Sequence, residues 1–127
     1  MTKTSLITDI HRTNREWLNL ILFYQDELMI MEKRIAEVVS KNTAVEVLAH
    51  AEHFQNQMII QKNHLLDLQG EIVHLEDKIT EEIKSNPIAA DHRRHETPSD
   101  LDERVTQFRV LFYELRKEFL EFLMKVM

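Results

Sequence analysis

The stretch WLNLILFYQDELMIM, Trp17 to Met31, decides the fold. Taken in alternating steps of three and four, Trp17, Ile21, Tyr24, Leu28 and Met31 line one stripe of an α-helix, because side chains at those spacings share a face. Strand alternation does not fit the segment. Leu18, Leu20, Leu22, Phe23, Met29 and Ile30 fall off the stripe, so this helix has little polar surface to offer water. Followed outward, the ladder reaches back through Asn14 and Ile10 to Ile7 and forward through Ile35 to Val38 without a slip.

Two further ladders have the same period. One runs from Ala44 to Ile79 through Phe54, Met58, Leu65 and Ile72, with Gln61 as its polar exception, as Asn14 is on the first. The other runs from Leu101 to Val126 through Phe108, Phe112, Phe119 and Phe122. Thr43 followed by Glu46 makes a capping-box pattern, and Thr97-Pro98-Ser99-Asp100 supplies a cap, a first-turn proline and an early acid. The expected helices span about residues 5–40, 43–85 and 98–126, with a loop over 86–97. So short a first joint forces an antiparallel hairpin. The fold expectation is one all-α domain over 1–127, an up-down-up bundle of three long helices. Gly70 lies inside the second helix, opposite its ladder, where it costs about 1 kcal/mol relative to Ala.

The composition agrees. With one Gly and two Pro in 127 residues, long helices run uninterrupted and a turn-rich β fold is disfavoured. The apolar share of 43% and charged share of 30% describe a packed domain rather than a disordered chain. A net charge of −6 without a basic stripe speaks against nucleic acid as a partner. No cysteine means no disulfide, thiolate metal site or cysteine nucleophile. The start, MTKTSLITDIHR, lacks the apolar core of a signal peptide. The longest apolar run, Trp17 to Tyr24, is broken by Asn19 and falls short of the roughly 20 residues that a transmembrane segment needs. A cytoplasmic location is the expectation. A single Gly rules out a phosphate-cradling loop, no Gly-x-Ser-x-Gly occurs, and Ser5, Ser40, Ser85 and Ser99 all sit at expected helix ends, so a non-enzymatic role is expected.

Helix lengths suggest a partner. The second helix is about 64 Å long and the third about 44 Å at the standard rise. Folded straight back, the third helix stops near residue 57 of the second and leaves the apolar hairpin tip, about residues 28–56, uncovered. Apolar patches of that kind mark interaction surfaces. A second hairpin would complete a four-helix-type bundle about a two-fold axis, so a homo-oligomer is expected, with a dimer favoured; a partner helix is the other occupant. Leu18 and Leu20 are placed toward the third helix. Leu22, Phe23, Met29 and Ile30 are placed together on the far side of the first helix and, with Val45 at the tip, form the candidate interface.

Histidines motivate the second reading. His50, His53, His64 and His74 lie on one flank of the second helix. Glu46, His50 and His53 form E-x3-H-x2-H, and Glu71 with His74 forms E-x2-H, spacings that bring ligands onto one helical face and suit zinc or iron. Ferritin-like di-iron bundles need two Glu-x-x-His pairs plus two lone carboxylates, and one such pair is present here. The sequence therefore points first to a helical interaction or structural protein. A metal-binding bundle, ferritin-like or zinc-binding, and a carrier of a small apolar ligand lined by Met and Phe are the alternatives.

Overall fold

A computed structural model describes the backbone of residues 1–127 and all side chains except those of residues 89–91. The helices are α1 (Ile7–Lys41), α2 (Val45–Ser85) and α3 (Leu101–Val126), and they hold most of the chain. The all-α bundle and its helix 1–2 hairpin are as the ladders require. Ladder residues of all three helices merge into one buried core. Each fully buried Leu, Ile, Phe or Met contributes about 1.5–3 kcal/mol relative to exposure, which is why the three stripes must face one another.

The hairpin turns through Asn42 and Ala44, both extended, and the Asn42 side-chain amide donates to the Val38 carbonyl at 2.8 Å. Its register is set by Gln25, which donates to Gln69 at 3.3 Å, and by Glu32 beside Lys62 at 3.8 Å. Neither expected side-chain cap forms. α2 is capped at Ala44, which leaves Thr43 outside its first turn. Thr97 and Pro98 belong to a strand, and α3 is capped at Asp100, whose carboxylate is drawn 3.1 Å from Arg104 Nε instead of to the backbone.

The connection expected as plain loop is folded. A 3-10 turn, Pro87–His92, leads into strand β2 (Arg94–Pro98), which pairs antiparallel with strand β1 (Thr2–Leu6) from Thr2 opposite Pro98 to Leu6 opposite Arg94. Ile7 N donates to the Arg93 carbonyl at 2.9 Å and Ser99 N to the Met1 carbonyl at 3.3 Å, tying both ends of the ribbon.

This ribbon corrects the length argument. β2 begins where Arg93 donates to the Glu82 carbonyl at 3.2 Å, and it ends against Leu75. Leu101, the first residue of α3, lines one groove with Leu75, about 15 Å before the end of α2 at Ser85. α3 therefore starts about three turns nearer the hairpin tip than a direct turnaround allows. Its far end reaches the tip: Phe54 lies 5.5 Å from Phe119 and 5.1 Å from Phe122, ring centre to ring centre, and His50 lies 5.9 Å from Phe122. Leu28, Met31, Ile35, Val38, Ala51 and Phe54 are buried, so the bare tip expected from helix lengths does not exist.

Candidate interaction surface

Two contacts orient the outside of α1. Gln25 and Glu32, seven residues apart, turn toward α2. Glu27, two residues from Gln25, turns toward α3, where Arg116 Nε donates to it at 3.3 Å. At 100° per residue, Leu18, Leu22 and Met29 stand on the Gln25 flank, while Leu20, Phe23 and Ile30 stand on the Glu27 flank. Asn19, Asp26 and Lys33, all exposed, run between the two sets. The four residues grouped on one far side are thus split between two grooves by a polar stripe, and Leu18 faces α2 rather than α3. Phe23 packs edge-on against Tyr24 at 5.5 Å, and Tyr24 in turn lies 5.2 Å from Phe108 and 4.7 Å from Phe112.

The α1–α2 groove carries exposed apolar residues from both of its helices. The hairpin register carries Leu22 to the level of Val73 and Met29 to the level of Leu66. Met29 and Leu66, each 49% exposed, share a shallow groove of about 360 Å³ floored by Leu28. Leu22, Ile59 and Val73 continue the band, at 54%, 55% and 40% exposed. Val45 lies on the same strip of α2, two heptads before Ile59, and is also exposed. From His53 to Gly70 the only charged side chains of α2 are Lys62 and Asp67, in a chain that is 30% charged. Interface centres are depleted in charge in the same way.

Of the candidate metal ligands, Glu46 and His50 line one groove together with Glu118 and Glu121 of α3, and Glu71 and His74 line another. Glu46 is exposed; the His50 ring lies over Phe122, and the His53 ring meets Phe54 edge-on at 5.5 Å. Glu71 is gripped by both terminal nitrogens of Arg104, and its hydrogen bonds hold that guanidinium protonated even more firmly than usual. His74 lines an open groove with Lys78, His95 and Glu96. Among the described residues, no three His, Asp or Glu side chains converge in a way that could hold a metal ion. Among them too, no helix is long and apolar enough to cross a membrane.

Comparison with protein-family models, curated proteins and solved structures finds no match. Function has to be read from the residues themselves. Two features escaped the sequence reading: the Arg104–Glu71 pair, and a polar cluster in which Glu76 receives both His11 and Asn14. The one signal for the second was Asn14 sitting on an otherwise apolar ladder.

Proposed function

We propose that the protein is a non-enzymatic helical-bundle interaction protein that associates with itself through the outer face of the α1–α2 hairpin. The observation that carries this reading is the exposed apolar band Leu22, Met29, Ile59, Leu66 and Val73 along the outside of the α1–α2 hairpin. Contiguous apolar surface of this kind is a docking surface in proteins that stay in solution. A second hairpin laid on that outer face brings four helices side by side, and two-fold closure is the commonest way for one surface to satisfy itself.

Light scattering coupled to size exclusion tests the reading. At micromolar concentration the expected mass is twice that of the chain, and Met29→Asp or Leu66→Asp reduces it to the chain mass while circular dichroism keeps its helical amplitude. A wild-type protein that runs at the chain mass throughout the micromolar range rejects it.

A further inference from the structure

Trp17 is the one position of the α1 ladder, from Ile7 to Val38, that is only partly buried. It lines a cleft of about 140 Å³ where the ribbon meets α1 and the start of α3. Ile10, Leu75 and Leu101, all buried, form the apolar floor, and Trp17 and Pro98, both partly buried, stand along the sides. At this level a short strand packs beside α1 in place of the ridged surface of a helix, so the turn around Trp17 is left incompletely filled.

Thr97 lines the same cleft. It is the only buried residue of the ribbon, at 6% exposed, and its hydroxyl has no hydrogen-bond partner among the described residues. A buried hydroxyl left unpaired is costly, and native structures keep few of them. The charges around the mouth are already paired. Lys3, opposite Thr97 in the ribbon, lies 3.7 Å from Asp102, and Asp9 lies 3.2 Å from Arg12. The cleft therefore asks for a neutral occupant. One water would serve the hydroxyl, but the space holds several, and those against Ile10, Leu75 and Leu101 lack the polar partners that a buried water takes.

We infer that the cleft binds a neutral aromatic molecule of about phenol's size carrying one hydroxyl or amide group. The ring lies against Trp17, Pro98 and the apolar floor, and the polar group pairs with the Thr97 hydroxyl. The size fits, since an apolar cavity of about 150 Å³ holds a benzene molecule. A flat ring also gains from an aromatic neighbour beyond the area it buries. The inference does not rest on self-association, which uses the outside of the α1–α2 hairpin.

Trp17 is the chain's one tryptophan, so a single indole N–H resonance in a proton–nitrogen correlation spectrum reports on the cleft. Titrated with phenol, that resonance is expected to shift saturably at millimolar concentration, with NOEs from the phenol ring to the methyl groups of Ile10 and Leu101. Toluene, which replaces the hydroxyl by a methyl group, is expected to bind about three- to tenfold more weakly. Thr97→Val removes the hydroxyl and keeps the branched shape; it is expected to melt no lower than wild type and to bring phenol down to the affinity of toluene. A Trp17 resonance that stays in place throughout the millimolar range overturns the proposal and leaves water as the occupant. A shift without those NOEs overturns it too, as does equal affinity of wild type for phenol and toluene, or a preference for phenol that survives in Thr97→Val. Should Thr97→Val fail to fold, the comparison of phenol with toluene on wild type decides.

Discussion

Asn14, 1% exposed on α1, donates its side-chain amide to Glu76 Oε2 of α2 at 2.9 Å. The other oxygen of Glu76 meets the His11 ring and lies 3.5 Å from the Thr80 hydroxyl. A carboxylate on the flank of α2 thus serves a polar residue on the core line of α1, and the cost of burying Asn14 is offset without a hole in the packing. Removing the acceptor is the more damaging change. Glu76→Ala leaves the Asn14 amide buried without a partner, and a loss of about 1–3 kcal/mol is expected in urea unfolding. Glu76→Gln keeps an acceptor oxygen and retains most of the stability. Equal midpoints for the Ala variant and wild type would show that the amide is served by water instead.

Phe119, 1% exposed, is the side chain that closes α3 over the hairpin tip, through Phe54 at 5.5 Å. Phe119→Ala is expected to cost about 3–5 kcal/mol, the usual range for emptying a core aromatic site. Domains of this size have only about 5–15 kcal/mol to lose. The variant is therefore expected to show a much lower melting temperature and to bind a hydrophobic dye near its midpoint, as the tip opens. A shift of less than about 1 kcal/mol would mean that α3 is not what covers the tip.

The heptad ladders were enough to read three helices, their order and their buried stripes, because the ladder positions from Ile7 to Val38, Trp17 alone being only partly buried, answer to one local rule. What they could not show was the rise of α3. That depends on a ribbon whose strands, TKTSL and RHETP, are polar, five residues long and about ninety residues apart in sequence. Such strands carry no alternating apolar signal, and an isolated two-stranded ribbon has little stability of its own; β1 and β2 hold because the helices they join are already packed. The same gap explains the bare-tip expectation and its failure. The outer face of α1 was legible as apolar, but its division into two grooves was not, since it depends on which neighbour Gln25 and Glu27 each meet.

The Arg104–Glu71 pair looks stronger than it is. Both partners are more than a third exposed at the side chain, so solvent screens the attraction despite its two-pronged geometry. A double-mutant cycle with Arg104→Ala and Glu71→Ala is expected to give a coupling of about 0.2–1 kcal/mol. A larger coupling would mark the pair as the anchor that sets the level of α3, and Arg104→Ala would then also disturb the aromatic contacts at the tip.

Phe23 and Met29 separate the two grooves of α1 experimentally. Both are about half exposed, at 54% and 49%, so an aspartate at either position costs the monomer little core. Met29 shares its groove with Leu66 of α2, whereas Phe23 leans on Tyr24 toward α3. If self-association uses the α1–α2 face, Met29→Asp dissociates the assembly, because a buried unpaired carboxylate costs several kcal/mol, while Phe23→Asp and Ile30→Asp leave its mass unchanged. The sequence alone, with all four residues on one side, would have had Phe23→Asp and Ile30→Asp dissociate it too. Light scattering on matched concentrations of the three variants distinguishes these outcomes. Dissociation by Phe23→Asp with Met29→Asp intact would move the interface to the α1–α3 groove.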